Sequence, residues 1–186
     1  MYLIFDTETT GFPKNWNAPI TDLDNWPRVV QLAWQIHDEN GALVEVQDHI
    51  IYPDGFDIPF NATKVHGIST ERAKSEGKPL GDVLAIFETA LEKCEYLVGH
   101  NVNFDLNVTG CEYYRVKGVN PLDAKKPLDS CTETTAKLCE LPGGRGGKFK
   151  LPTLSSICKS FAGFSVTYFQ ASSSLKPPYF TAFAAS

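Results

Sequence analysis

The chain begins with a short run of apolar, β-preferring residues that passes directly into polar ones. Tyr2–Phe5 leads into Asp6-Thr7-Glu8, and the segment closes on Gly11 and Pro13. Glycine and proline at such a point favour a turn. The pattern predicts a buried strand over Tyr2–Gly11 that ends in a turn.

Two further strands are predicted from the next apolar residues. Val29–His37 has apolar residues at every second position, and four of them are expected to share one face: Val30, Leu32, Trp34 and Ile36. Asn40-Gly41 favours a tight hairpin turn, so Leu43–Tyr52 is predicted to return as a third strand. The polar segment 15–28 is interpreted as a surface loop beside the end of the first strand.

The apolar spacing changes to three and four residues over Leu80–Lys93, which predicts an amphipathic helix. Tyr96-Leu97-Val98 follows as a short buried strand. A further helix is then expected to run to about Lys117, with Asn101 as its N-cap. Because strand–helix–strand crossovers join parallel strands, the fourth strand is predicted to lie parallel to the first.

Shorter elements are predicted from capping residues and glycines. Ser69 or Thr70 is expected to cap one short helix, and Asp129 to cap another over Ser130–Leu138. Gly143–Lys148 lacks the spacing of a phosphate-binding loop and is interpreted as a flexible loop. Beyond it, four residues with helical spacing are interpreted as core: Leu154, Ile157, Cys158 and Phe161.

The composition limits the size and location of the protein. Its 186 residues, 42% of them apolar, suffice for one domain with a full core. A net charge of −5 argues against a broad electrostatic grip on nucleic acid, although a local one is compatible with it. Five cysteines without a CxxC pair indicate reduced thiols, and no leader or membrane span is apparent, so a cytoplasmic protein is expected.

The chemistry of the chain is expected at the end of the first strand. Asp6 and Glu8 are two residues apart, so their side chains leave the strand on the same side. Asp105 follows the carboxyl end of a strand predicted to neighbour the first, which is where open α/β sheets hold ligands. Clustered carboxylates are unfavourable without a proton or cation between them, and hard oxygen ligands suit Mg²⁺ or Mn²⁺.

Two motifs resemble a known family. Phe5–Gly11 and Gly99–Asp105 are similar to the first and second exonuclease motifs of the DEDD superfamily. This superfamily comprises the DnaQ-like 3′–5′ exonucleases, which include the proofreading subunit of bacterial replicative polymerases. Val65–Ser69 resembles the segment that these enzymes place near the 3′ end of the substrate. The resemblance implies an α/β, RNase H-like fold, with a mixed five-stranded sheet flanked by helices.

The resemblance also implies roles for particular residues. Asp6, Glu8 and Asp105 would be the catalytic residues and would hold two divalent cations, Mg²⁺ or Mn²⁺, for hydrolysis that releases nucleoside monophosphates. The residues implied to contact the substrate are Thr7, Thr9, Thr10, His66, Asn101 and Phe104. The ligand would be the 3′ end of a single strand, DNA rather than RNA, and a replicative polymerase is a possible partner.

The sequence departs from the family pattern near its end. The family has a late His or Tyr followed by Asp, but this sequence has no Asp after Asp129 and no His after His100. From residue 165 onward it carries a single charge and no amphipathic period. The exonuclease domain is therefore predicted to span 1–164 and to be incomplete, followed over 165–186 by an atypical tail that reads as frame-shifted or disordered. This polypeptide is expected to be inactive or weak as a nuclease.

Two other functions remain open from the sequence. The chain could be a nucleic-acid-binding or polymerase-associated module that has kept the fold and lost catalysis. It could instead be another metal-dependent nuclease or phosphatase-like hydrolase of the RNase H-like group that uses a different late ligand, for which Asp123 and Asp129 are the candidates.

Overall fold

The computed structural model describes residues 1–153 and 156–157 and, as backbone, residues 166–168 and 181–183. Five strands form one sheet in the order β3-β2-β1-β4-β5. They are β1 (Tyr2–Thr9), β2 (Val29–His37), β3 (Leu43–Ile50), β4 (Tyr96–Gly99) and β5 (Lys126–Asp129). β1 pairs antiparallel with β2 and parallel with β4, so the sheet is mixed, as predicted.

The helices follow the strands that they connect. They are α1 (Phe60–His66), α2 (Thr70–Glu76), α3 (Leu80–Lys93), α4 (Val102–Lys117) and α5 (Glu133–Leu138). Beyond them, β6 (Val166–Tyr168) and β7 (Thr181–Phe183) pair antiparallel as a separate two-stranded sheet. The bounds of β2 and α3 are those predicted from the apolar spacing.

The position of β1 determines where the site can form. β1 lies in the centre of the sheet, and its pairing with β4 runs only from Tyr2 to Ile4. β1 therefore extends beyond β4 at its carboxyl end, where no described strand pairs with that edge of β1. Ligand sites in open α/β sheets lie at this end of the strands.

The main core packs the sheet against α3 and α4. Phe87 of α3 is fully buried, with its ring centroid 5.7 Å from that of Phe5 and 5.0 Å from that of Trp34. A smaller cluster joins Val30 to Ile58, Ile68 and Ala73. The main cluster contains residues of β1 and β2, and the smaller cluster contains Val30 of β2, so apolar packing fixes the position of both strands.

One expectation for β2 is wrong. Val30 was expected on the face of Leu32, Trp34 and Ile36, but it packs in the smaller cluster. The register between β1 and β2 shifts after Glu8, where Glu8 pairs with Gln31 and Thr9 pairs with Val29. Val30 is thus left unpaired with β1 in a β-bulge, which breaks the alternation of side chains along β2.

The short helices were predicted only in part. α2 begins after Ser69, whose hydroxyl accepts a hydrogen bond of 3.2 Å from the Arg72 amide, in agreement with its predicted capping role. α1 was not predicted, although Pro59 precedes it and Gly67 ends it in the left-handed conformation. Proline before a helix and glycine after it is the signal that would have found it.

Several sequence predictions fall partly or wholly outside the described residues. The structure describes Ile157, which is buried, but not Leu154, Cys158 or Phe161. Of the tail 165–186 it describes only the backbone of β6 and β7, so the boundary after residue 164 stays a prediction. In the described part of the chain, no helix is long and apolar enough to cross a membrane. The four cysteines described there are free thiols.

Replacing Phe87 with Ala should lower the free energy of unfolding by about 3–5 kcal/mol, because the lost ring leaves a cavity beside Phe5 and Trp34 in the main core. The matched control is Phe60→Ala, which removes a ring that is 71% exposed and should change stability by less than about 0.5 kcal/mol. Urea unfolding of both variants measures the difference. Equal effects would contradict this description of the core.

Candidate active site

Asp6 and Glu8 lie on the part of β1 that extends beyond β4, and both are half-buried. Leu3 and Phe5 face the main core, so alternation along the strand directs Asp6 and Glu8 to the opposite face. Thr7, between them, is buried and directs its hydroxyl to Asp105 of α4. The strand therefore carries two carboxylates on one face and a threonine on the other.

Asp105 is bound to β1 through Thr7. Its Oδ1 accepts a 3.0 Å hydrogen bond from the Thr7 amide and a 2.6 Å bond from the Thr7 hydroxyl. The hydrogen bond from the Thr7 amide takes the place of one that β4 would have accepted had it continued alongside β1. Asp105 is in the first turn of α4 and only 3% exposed. The predicted approach of Asp105 to the first strand is thus observed.

The electrostatics of the three carboxylates reflect burial and mutual repulsion. Burial raises the pKa of Asp6 well above its usual value, and the charges of Asp105 and Glu8 raise it further. Burial raises the pKa of Glu8 to about 7. It also raises the pKa of Asp105, although the two hydrogen bonds from Thr7 act in the opposite direction. These carboxylates therefore carry negative charge at a cost that a cation would offset.

The donor set fits a hard divalent cation that takes its remaining ligands from water and substrate. In the part of the chain that the structure describes, no three His, Cys, Asp or Glu side chains converge closely enough to hold an ion by themselves. Mg²⁺ usually takes one or two protein carboxylates and fills its remaining positions with water and substrate phosphate. The pair Asp6 and Glu8, with Asp105 close enough to raise the pKa of Asp6, meets that lesser requirement.

The turn after β1 is fixed to the start of β2. Thr10 donates its amide to the Arg28 carbonyl at 2.9 Å, and its hydroxyl accepts from the Arg28 amide at 3.0 Å. The Thr9 hydroxyl donates to the Gly11 carbonyl at 2.7 Å. Both threonines that were expected to face a substrate are therefore held beside the carboxylates by local hydrogen bonds.

His66 ends α1 near the same turn. Its Nδ1 accepts a 3.1 Å hydrogen bond from the Ile68 amide, whereas its buried Nε2 has no hydrogen-bond partner among the residues that the structure describes. Burial lowers the pKa of His66, and the nearby backbone of Thr9 acts in the opposite direction. The structure thus brings the His66 ring to the backbone of Thr9, at the end of β1.

Two predicted helix caps are corrected. Asn101 is the residue before α4, but it is in the left-handed conformation (φ 62°) and its side chain makes no capping hydrogen bond. Asp129 does not cap α5, which begins after Thr132. Its Oδ1 instead accepts from the amides of Asn101 at 2.8 Å and Cys131 at 2.7 Å. The Asp129 carboxylate is therefore bound to the backbone at Asn101 and Cys131, whereas the first turn of α5 is capped by Thr132.

A buried ion pair connects α4 to the start of β2. Glu112 is 1% exposed, and its Oε1 accepts from Arg28 Nε and from the Val29 amide, both at 2.9 Å. Arg115 adds a contact of 3.1 Å to the same oxygen. Because Arg28 also pairs with Thr10, Glu112 holds the turn that follows the carboxylate strand. Periodicity gave no sign of this network.

Three aromatic rings lie beside the carboxylates, and only one of them was singled out in the sequence. Phe104 precedes Asp105, and its ring centroid is 5.7 Å from that of Trp16 and 6.2 Å from that of Phe12. Phe12 follows the turn after β1, and Trp16 lies in the adjoining loop. Phe12 and Trp16 follow the first motif closely in the sequence, and this proximity is the signal that would have placed them near the carboxylates.

Comparison with known proteins identifies relatives of this site. The sequence matches the family model described as "Exonuclease" (RNase_T) over residues 3–163. Both carboxylate-bearing elements, β1 and α4, lie within the matched range. No curated protein matches the chain.

Similar solved structures are forms of exonuclease I. E. coli exonuclease I in complex with a dA16 oligonucleotide has a TM-score of 0.63 and 20% identity over 86% of this chain and 35% of that one. A product-bound exonuclease I gives 0.64 and 20%, covering 86% and 37%. The zinc-bound E. coli complex with single-stranded DNA gives 0.62 and 19%, covering 86% and 34%. The chain thus spans about a third of the length of these proteins.

Replacing Glu8 with Gln should stabilise the metal-free protein near neutral pH and change little in acid. The folded-state pKa of Glu8 is raised from 4.5 to about 7, so the folded protein binds this proton more tightly than the unfolded chain does. The wild-type free energy of unfolding therefore falls, relative to that of the variant, as the pH rises from about 4.5 to 7.

Urea unfolding of both proteins in a chelator, at about pH 4 and about pH 8, measures this difference. The expected gain of the variant at the higher pH is on the order of 1–3 kcal/mol. A gain of the same size at both pH values would show that Glu8 ionises normally.

Replacing Glu112 with Ala should lower the free energy of unfolding by about 3–5 kcal/mol, because it leaves the Arg28 charge without its buried partner. The matched control on α3 is Glu88→Ala, which breaks the more exposed ion pair with Lys117 and should cost about 0–1 kcal/mol. Thermal or urea unfolding compares the two. A Glu112 variant as stable as the Glu88 variant would contradict the role of the network.

Proposed function

Because the chain belongs to the exonuclease family, we propose that it is a metal-dependent 3′–5′ exonuclease that acts on single-stranded nucleic acid. The observation that carries this proposal is the binding of Asp105 to Thr7 of β1, which brings its charge close enough to Asp6, on the strand that also carries Glu8, to raise the pKa of Asp6. This end of the strands is where α/β sheets bind ligands. DNA is the proposed substrate, since exonuclease I, a structural neighbour, is solved with deoxyoligonucleotides.

Asp6 and Glu8 are the proposed direct ligands of Mg²⁺ or Mn²⁺, and Asp105 completes the set. Two such ions, when bound, supply Lewis acidity toward the phosphodiester and lower the pKa of a bound water. Thr7 gives both its amide and its hydroxyl to Asp105, so we assign Thr7 to positioning that carboxylate. The raised pKa values of the three acids favour exchange of a proton for a cation.

The terminal nucleotide is proposed to lie against the turn after β1. Thr9 and Thr10 border this turn, and the His66 ring approaches it beside the backbone of Thr9. Asn101 and Phe104 lie at the start of α4, on the side of Asp105. Hydrogen-bonding groups on one side and an aromatic ring on the other suit a nucleotide with an unpaired base.

The proposed activity of this polypeptide is weak. Its sequence lacks the late His and Asp of the family pattern, and loss of a general base alone costs about 10²–10⁴ in rate. Neither late aspartate is well placed to substitute. Asp129 binds two backbone amides at the end of β5, two strands from β1, or about 10 Å across the sheet. Asp123 accepts from Asn120 at 2.8 Å in a surface turn.

The second candidate function is a binding module that has kept the fold and lost catalysis. The missing late residues favour it, and it predicts binding of single strands without turnover. Association with a replicative polymerase and a cytoplasmic location are further predictions from the sequence, and they accompany either candidate.

The test of the proposed function is release of mononucleotides from a 3′-labelled single strand in Mn²⁺. We expect slow release by the wild type, at least about 100-fold below E. coli exonuclease I, and none by Asp6→Asn. Asp123→Asn is the matched control and should equal the wild type. Asp6→Asn as active as the wild type would overturn the proposal, and binding without any release would favour the second candidate.

A further inference from the structure

Phe12, Trp16 and Phe104 form an aromatic cluster on the surface beside the carboxylates. The centroids of Phe12 and Trp16 are 6.0 Å apart, and Phe104 lies within 6.2 Å of both. Phe12 is 78% exposed and Trp16 is 55% exposed. Phe104 is partly buried and packs against the main core, so it supports the two exposed rings. Exposed rings grouped in this way indicate a binding surface, whereas a single exposed ring would not.

Chain connectivity fixes the cluster next to the proposed catalytic residues. Phe104 directly precedes Asp105, and Phe12 follows Gly11 in the turn after β1. The rings and the carboxylates therefore share one edge of the sheet. A strand whose 3′ end is bound at Asp6 can therefore contact this aromatic surface.

The loop that carries Trp16 is held by hydrogen bonds from Asn25 and Arg115. The side chain of Asn25, which is buried, accepts from the Asn15 amide at 2.7 Å and donates to the Asn15 carbonyl at 3.0 Å. Arg115 of α4 donates to the carbonyls of Leu23 and Trp26 at 2.5 and 2.7 Å. A loop held in place in this way loses little conformational entropy when a ligand stacks on a ring that it carries.

The chemistry of the surface selects its ligand. Aromatic faces stack on nucleobases and tolerate any sequence, but the base has to be unpaired for its face to be reached. The protein has a net charge of −5, so broad attraction to phosphates contributes little and contacts to bases have to contribute more. An unpaired base is the partner that a neutral aromatic surface beside a nuclease site fits.

We propose that Trp16, supported by Phe12 and Phe104, stacks on an unpaired base of the bound single strand. This inference rests on the proposed function and deepens it. It assigns binding of the strand to the loop at 15–28, which neither exonuclease motif includes. Trp16 thereby favours single strands over duplexes, because a paired base offers no face to its ring.

Intrinsic tryptophan fluorescence tests the proposal directly. The other two tryptophans, Trp26 and Trp34, are 3% and 1% exposed, so quenching by a stacked base reports on Trp16. The wild type is titrated with a short oligothymidylate in Ca²⁺ and with an abasic strand of the same length. We expect quenching by the first and much weaker quenching by the second.

Binding of a dye-labelled oligothymidylate, followed by anisotropy, measures the affinity of the variants. Trp16→Ala should raise Kd between about 5- and 150-fold, and Trp16→Phe should restore most of the affinity. Tyr2→Ala is the matched control, because Tyr2 stacks on Tyr96 at the opposite end of β1 and should leave Kd unchanged.

Equal quenching by the abasic strand, an unchanged Kd for Trp16→Ala, or no binding by the wild type would each overturn the inference. Its failure is distinguishable from failure of the proposed function. Hydrolysis that persists without base-dependent quenching would remove the inference alone. Base-dependent quenching in a protein that never releases a nucleotide would remove the exonuclease proposal and leave Trp16 in its role.

Discussion

The two hydrogen bonds from Thr7 to Asp105 are the contact on which the site depends. β1 extends beyond its parallel neighbour β4, so β4 offers no acceptor to the buried Thr7 amide. Asp105 satisfies this amide and the Thr7 hydroxyl together. An unsatisfied buried donor is costly, so the backbone itself favours a carboxylate here. The third acidic group is thus brought close enough to Asp6 for its charge to raise the pKa of Asp6.

The same helix holds the rest of the site in place. α4 contributes Asp105 in its first turn and Glu112 about two turns later, where Glu112 binds Arg28 and the start of β2. Arg115 lies one turn further and binds the loop that carries Trp16. One helix therefore fixes the carboxylate strand, the turn beyond it and the aromatic surface. A change in the tilt of α4 would move all three together.

Sequence reasoning found what depends on local pattern and missed what depends on tertiary contacts. The bounds of β2 and α3 follow from apolar spacing, and the approach of Asp105 to β1 follows from the crossover rule. The bulge that redirects Val30 depends on pairing between two strands, which periodicity within one strand cannot show. Asp129 likewise accepts a hydrogen bond from the Asn101 amide, a contact between distant parts of the sequence, and does not cap the helix as expected.

The central claim is that Asp6 and Glu8, with Asp105 beside them, form a divalent cation site at the end of β1. Anomalous diffraction from crystals soaked in Mn²⁺ and a nucleoside monophosphate tests it most directly. The account predicts two Mn²⁺ peaks about 4 Å apart, with Asp6 oxygens coordinating at least one of them. Crystals that show no Mn²⁺ at Asp6, or Mn²⁺ only at other surface acids, would contradict it.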